Sequence, residues 1–312
     1  MEIKNLTREE FVALIPQIER LHKRSFGTDF SEGYLEWRYL KNPEKKAFVC
    51  VAMDGDVLAA FHAAIPLSIT YCGKEYRAAM TSNGMTDPLY NGQGLFTKVT
   101  DGVFSQLLQN ECMTVMGFPN VHSNHILCVQ LKYRTVYEVP MLELSLDDAC
   151  RNEKTPVFDD QFSLQYPLLN NRYDRIEVKK DPEYLRWRYT ESPENIYRNI
   201  VVTDTNRIVQ AFAVCKIWKD KLNLVEFHAE DIGYAAELLD RCVAYAKGIG
   251  CGAVTVWEPL NTELHYFLEK QKFINRYPIH YFNVKPFNGF EKKVDCMDPR
   301  NWALQMGDNN TY

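Results

Sequence analysis

A mixed α/β architecture in two tandem domains is what the sequence predicts, and three observations carry the prediction. Over the first half of the chain the apolar patterning reads helix, helix, hairpin, strand, helix, strand, helix, strand, which suits a mixed sheet flanked by helices rather than a bundle or a sandwich. The stretch Y-L-E-W-R-Y-L-K-N-P-E from Tyr34 to Glu44 recurs as Y-L-R-W-R-Y-T-E-S-P-E from Tyr184 to Glu194, an offset of 150, with Tyr, Leu, Trp, Arg, Tyr, Pro and Glu identical. Farther on, Lys132 to Tyr137 is echoed by Lys272 to Tyr277 at an offset of 140, where Pro119 also falls on Pro259 and His125 on His265. A repeat unit this long is a domain, so the chain reads as a duplication whose second copy has lost ten residues between the two matches. The expected division is 1–148, 149–290 and a tail at 291–312, in keeping with domains of about 150 residues.

The elements follow in order. A short strand precedes a helix whose stripe is Phe11, Leu14, Ile15, Ile18 and Leu21. Ser31 is placed to cap a short helix carrying Tyr34, Leu35, Trp37 and Arg38, which stops before Pro43. Two apolar runs within 47–71, split by Asp54-Gly55-Asp56, predict a hairpin. Tyr76 to Met85 reads as a strand, Leu95 to Gln109 as a helix with Leu95, Val99, Val103 and Leu107 on one side, and Cys112 to Phe118 as a buried strand. Pro119-Asn120 then opens a further helix, predicted to run to about Tyr133.

Composition narrows the function. With 46% hydrophobic and 25% charged residues and a net charge of −5, the chain describes a globular protein without the basic balance of a general nucleic-acid binder. No apolar run approaches the ~18 residues of a membrane span and the N-terminus lacks a signal peptide's apolar region, so a cytoplasmic location without membrane or nucleic-acid partners is expected. Nine cysteines without a C-x-x-C pair are expected as reduced core thiols, and no Cys/His cluster has metal-ligand spacing, so no metal is expected.

The chemistry concentrates at Thr86 to Lys98, T-D-P-L-Y-N-G-Q-G-L-F-T-K. Gly92 and Gly94 remove two side chains where a strand runs into a helix, so successive N–H groups can turn toward one anion beside the positive end of the helix dipole. The same two glycines also suit an ordinary tight turn, and the repeat separates the readings. At an offset of 140, P-L-Y-N-G-Q-G falls on H-A-E-D-I-G-Y, residues 228–234, so the second copy keeps the flanking helix and strand but places Glu230 and Asp231 where an anion would sit. A ligand-binding role in the first copy alone accounts for that asymmetry. His62, inside an apolar run, reads as a core histidine, and Trp37 and Trp187 read as packing residues because both copies keep them.

At these residues the chain resembles the GNAT acetyltransferase superfamily, in particular its tandem-domain members. The family turn is Q/R-x-x-G-x-G/A after a strand ending like V-x-P-x-Y; Thr86, Pro88, Tyr90, Gly92 and Gly94 fit it, while Asn91 and Phe96 depart from it. The resemblance implies that acetyl-CoA, or another acyl-CoA, is the cofactor. Asn91, Gly92, Gln93, Gly94, Leu95, Phe96 and Thr97 would lie around its pyrophosphate, Met85 and Thr86 along the pantetheine, and Asn120 and Ser123 at the pantetheine arm. It further implies that the strands ending near Thr86 and Gly117 splay apart to admit the thioester, and that an amine attacks the thioester directly. The tyrosine many members use as the acid falls here on Leu127 or Cys128, and His122 is the candidate base.

In some tandem members the terminal carboxylate enters the active site, which would place Tyr312 there; the alternative for the polar tail is a free end anchored by Trp302. The acceptor is expected to be a small amine, an amino sugar first. A tandem aminoacyl- or fatty-acyl transferase, and a non-catalytic CoA-binding scaffold, are the alternatives.

Overall fold

The computed structural model describes residues 1–147, 154–167, 174–260, 262–277, 280–310 and 312, and of His122 the backbone alone. Its elements are β1 (Glu2–Asn5), α1 (Arg8–Phe26), α2 (Tyr34–Leu40), β2 (Phe48–Asp54), β3 (Val57–Tyr71), β4 (Lys74–Thr86), α3 (Leu95–Gln109), β5 (Thr114–Gly117), α4 (Val121–Val129), β6 (Arg134–Glu138) and β7 (Met141–Ser145). The second half follows with β8 (Glu177–Val178), α5 (Pro182–Leu185), β9 (Arg198–Thr203), β10 (Val209–Trp218), β11 (Lys221–Ala229), α6 (Ile232–Gly248), β12 (Ala253–Trp257), α7 (Glu263–Lys270), β13 (Ile274–Arg276) and β14 (Tyr281–Pro286). Mixed sheets flanked by helices are the predicted fold class.

Local chemistry explains most of the boundaries. Thr7 and Glu10 close a capping box on α1, which ends on Gly27 in the left-handed region. The Gly55-Asp56 turn joins β2 to β3 with Asp54 facing Val57. Two boundaries differ from expectation. Ser31 does not cap α2: Gly33, at φ +74°, is its first cap residue, and Ser31 contributes only a backbone carbonyl to the Tyr34 amide. Helix α4 stops at Val129 rather than near Tyr133, and Tyr133 turns into the core.

The sheets cross the boundary between the repeats. One has the order β1-β2-β3-β4-β5-β14-β6 and the other β13-β7-β12-β11-β10-β9. Strand β14 of the second repeat is hydrogen-bonded between β5 and β6, with Asn283 opposite Gly117, while β7 of the first repeat lies between β12 and β13. Both sheets thus cross the expected division at 148: the first takes β14, and β8 through its pairing with β3, from the second half, and the second takes β7 from the first. In effect the chain is a fused, strand-exchanged pseudo-dimer, with one apolar cluster drawing on both halves.

The repeated motif lies at the junction. Trp37 and Trp187 stack at 5.3 Å, and each indole N–H donates to the other's backbone carbonyl, at 2.8 and 3.0 Å. They pack, as expected, but on each other rather than each on its own sheet. Trp37→Phe, which leaves the buried carbonyl of Trp187 without its donor, is expected to cost about 1–3 kcal/mol, measured by denaturant unfolding.

The tail is not a free end. Residues 302–309 are all buried. Trp302 packs against Phe282 and donates to the Cys296 carbonyl, and the Ala303 amide donates to the Ile176 carbonyl. The polar residues that suggested exposure have internal partners: the Phe227 amide donates to Gln305 Oε1, and the Gln305 amide to Asp308 Oδ2. Gly307 is required by crowding, since a Cβ there would lie 1.9 Å from the Tyr189 hydroxyl. Among the described residues no helix is long and apolar enough to cross a membrane, no His/Cys/Asp/Glu group suits a metal, and the cysteines are free thiols.

Candidate functional site

Strand β4 pairs in parallel with β5 only at Ala78–Thr114, Ala79–Val115 and Met80–Met116, and then runs on to Thr86 while β5 ends at Gly117. A bulge drives them apart. The β3–β4 register slips between Phe61 and Ala63, opposite Asn83, which sits at φ +53°. Asn83 Nδ2 donates to the hydroxyls of Tyr34 and Tyr39, at 3.2 and 3.0 Å, so the first copy of the repeated motif holds the bulge. At the fork, Thr81 Oγ1 donates to the Met116 carbonyl, and a Cβ on Gly117 would crowd that same hydroxyl at 2.8 Å. The expected splay between the strands ending near Thr86 and Gly117 therefore has a structural cause.

Beyond the splay, the strand end is pinned. Arg24 Nε meets the nearly buried carboxylate of Asp87 at 2.6 Å, and Asp87 Oδ1 accepts from the Leu89 amide. Ser25 Oγ donates to the carbonyl of Thr86, and Met85 is buried opposite Phe61. The loop then turns on Gly92 and Gly94, at φ +79° and +68°. Gly94 caps α3 without a side-chain hydrogen bond. Among the described residues, no acceptor takes the amides of Gly92, Gln93, Gly94, Leu95, Phe96 or Thr97. Six successive unused donors at a helix N-terminus, with the first three residues exposed, are an arrangement that can hold an anion.

Second-copy geometry runs the other way. There Asp231 caps α6 and its carboxylate accepts from the Tyr234 amide at 2.9 Å, so the chain's own anion occupies the helix end. The cleft beside it is acidic, lined in part by Glu230, Asp231, Glu258 and Glu263.

Phe96, one of the two residues that depart from the family pattern, is accommodated by Gly84. A Cβ on Gly84 would stand 2.4 Å from the Phe96 ring. The ring also packs at 5.2 Å on His62, whose Nδ1 lies 2.7 Å from Thr100 Oγ1. Burial lowers the His62 pKa to about 4, so it is a neutral core histidine. Asn91 closes the turn before the unused amides, its own amide reaching the Pro88 carbonyl at 3.3 Å, and Thr97 Oγ1 donates to Gln130 Oε1.

Asn120 and Ser123 are brought to the start of α4, where they engage each other: Asn120 Oδ1 accepts from the Ser123 amide and hydroxyl, both at 3.0 Å. His122 lies in the first turn of that helix, and its side chain is outside the described residues. Of the two positions considered for the acid, Leu127 is buried among apolar residues, and Cys128 lies within 3.6 Å of Asn124, Thr135 and Asn283.

Sequence reasoning missed His280 altogether. It precedes the exchanged strand β14, so nothing in its local sequence places it against the first repeat's sheet, where its carbonyl accepts from the Val139 amide. Its ring packs on Trp257 at 5.3 Å and on Tyr312 at 5.7 Å, and its two nitrogens lie 3.3 Å from Asn309 Nδ2 and 3.3 Å from the Tyr312 hydroxyl. The tail is led there by two buried arginines of the repeat: Arg38 donates to Asn310 Oδ1, and Arg188 to the carbonyls of Asn309 and Tyr312. Asn310 Nδ2 in turn reaches the Thr81 carbonyl at 3.3 Å, one residue past the last β4–β5 pair.

Comparison with known proteins bears on the fold. Residues 2–125 match the acetyltransferase (GNAT) domain family. No curated protein sequence matches the chain. Among solved structures, a probable N-acyltransferase of unknown function from Enterococcus faecalis V583 superposes with a TM-score of 0.71 at 13% identity, covering 91% of this chain and 72% of that one. A GCN5-related N-acetyltransferase from Kribbella flavida gives 0.68 at 12%, covering 92% and 72%. The N-myristoyltransferase of Saccharomyces cerevisiae, solved with myristoyl-CoA, gives 0.60 at 12%, covering 92% and 79%. At these identities the likeness is one of fold.

Proposed function

Because residues 2–125 match the acetyltransferase (GNAT) domain family, we propose that this acyltransferase-fold protein moves an acyl group, acetyl first, from coenzyme A to the nitrogen of a small primary amine such as an amino sugar. The observation that carries the reading is the unused run of amides from Gly92 to Thr97, set directly beyond a pair of parallel strands that part at Met80 and Met116. The first feature suits a pyrophosphate, and the second leaves an edge for the pantetheine and a gap for the thioester. Met85 and Thr86 would lie along the arm, Asn91 to Thr97 around the phosphates, and Asn120 and Ser123 at the far side.

When bound, the cofactor supplies an activated acyl group. The chain's residues bind its phosphates, orient it between the strands, and enclose the acceptor between the halves. The second half contributes a strand, a wall and the tail rather than a second cofactor site, since Asp231 holds the equivalent helix end. The test is thiol release from acetyl-CoA and from longer acyl-CoAs across a panel of amines that includes amino sugars. Release that depends on the amine is expected. Binding of acyl-CoA without turnover on any amine would leave a CoA-binding scaffold, and turnover confined to long acyl chains would move the reading to a fatty-acyl transferase.

A further inference from the structure

Acyl transfer from a thioester to an amine expels a thiolate, and Leu127 offers no proton for it. A different phenol stands at the junction of the halves. Tyr312 packs edge-on at 5.3 Å on Trp257, which packs at 5.8 Å on Phe118, the residue directly after β5 ends. Two residues earlier in the chain, Asn310 touches the Thr81 carbonyl at the fork. The phenol thus lies two ring contacts from the end of β5, on the segment that reaches the fork through Asn310.

Its hydrogen bonding fixes its polarity. The side-chain nitrogen of Asn309 can only donate, so His280 Nδ1 accepts from it and the neutral ring carries its hydrogen on Nε2. That Nε2–H points at the Tyr312 oxygen, 3.3 Å away, so the oxygen accepts and its own hydrogen is not taken by the ring. Burial lowers the His280 pKa and pushes the Tyr312 phenol up to about 12, which keeps the ring neutral and the phenol protonated near neutral pH.

From this geometry we propose that Tyr312 is the acid of the acyl transfer and that His280 is the residue that positions it. The inference rests on the acyl-transfer reading above. The amine nitrogen forms a bond to the thioester carbonyl carbon and the carbon–sulfur bond breaks. The phenol hydrogen passes to sulfur, giving free coenzyme A. The proton on the nascent amide nitrogen returns to the phenolate oxygen, which His280 Nε2–H stabilises meanwhile. Nothing else is consumed, and the side chain ends as it began.

Tyr312→Phe removes one oxygen. It is expected to lower kcat by roughly a hundred- to ten-thousand-fold, with the KM for acyl-CoA within about twofold of wild type and an unchanged calorimetric titration of acetyl-CoA reporting an intact fold. His280→Ala is expected to lower kcat in the same direction, and His280→Gln, whose Nε2 can also donate to the phenol, to recover most of it. A Tyr312→Phe protein that transfers at the wild-type rate would overturn the inference while leaving acyl transfer standing. Equal losses in His280→Gln and His280→Ala, both folded, would overturn the positioning role. A wild type that transfers no acyl group takes down the acyl-transfer reading and this inference with it.

Discussion

Gly94→Glu is expected to abolish acyl-CoA binding, weakening it by at least about a hundredfold in calorimetric titration, while the protein stays folded. The folding half of that expectation comes from the space around the residue: a Cβ at Gly94 meets nothing within 4 Å. Holding a non-glycine residue at φ +68° costs only about 1–2 kcal/mol. The binding half comes from charge. Gly94 caps α3 in the middle of the unused amides, so a carboxylate there competes for the donors a phosphate needs. A unit charge about 4 Å from another is repelled by ~1 kcal/mol in bulk water and ~4 kcal/mol near a protein surface. Two phosphate charges at the surface value exceed the ~2.7 kcal/mol that a hundredfold represents.

Gly94→Ala separates strain from charge, and is expected to weaken binding only severalfold. Asp231 in the second repeat already shows the arrangement the glutamate would impose, a helix end neutralised by the chain's own carboxylate. Wild-type affinity in Gly94→Glu would mean that the amides from Gly92 to Thr97 do not hold the cofactor.

The turn and its unused amides were legible because their requirements are local. Two glycines in left-handed conformation between a strand and a helix leave a mark in seven residues, and the repeat supplied an internal comparison. The bulge was less so: Asn83 is an ordinary polar residue in sequence, and only its partners Tyr34 and Tyr39, far back in the chain, show what it does. The exchange of β7 and β14 left no sequence signal that we read, because Met141–Ser145 and Tyr281–Pro286 are both short apolar-rich strands and either sheet offers a suitable edge. That exchange is also why His280 went unnoticed, since its importance depends on which sheet β14 joins.

The tail misled for a related reason. Gln305, Asp308, Asn309 and Asn310 have the composition of a solvated end, yet their partners lie on β11, at Lys180, at His280 and on β4. A buried polar group is stable when its hydrogen bonds are met, and those bonds come from residues distant in sequence.

Lys180→Met is expected to destabilise the protein by about 3–5 kcal/mol, because it leaves two buried carboxylates without their cation. Lys180 Nζ sits 2.8 Å from both Glu226 Oε2 and Asp308 Oδ1, and side-chain exposure is 8% for the lysine, 0% for the glutamate and 1% for the aspartate. Burial alone would push the Glu226 carboxyl up; Lys180 and His228, the latter 2.7 Å away, outweigh it and hold its pKa at about 2. Removing the lysine removes the largest single part of that compensation for Glu226 and leaves Asp308 without its cation. The triple variant Lys180→Met, Glu226→Gln, Asp308→Asn restores neutrality and is expected to regain much of the loss, which distinguishes an unpaired charge from a packing defect. Unfolding should remain a single transition by far-ultraviolet dichroism and tryptophan fluorescence, since β14 ties the second half into the first sheet and β7 ties the first into the second. The damage should also reach the chemistry. Asp308 anchors the segment that runs through Asn309 and Asn310 to Tyr312, so kcat in Lys180→Met should fall more than acyl-CoA affinity, which the proposed function assigns to amides at and just before the start of α3. If kcat and affinity fell together, the tail would be part of the cofactor site instead of the wall that faces it.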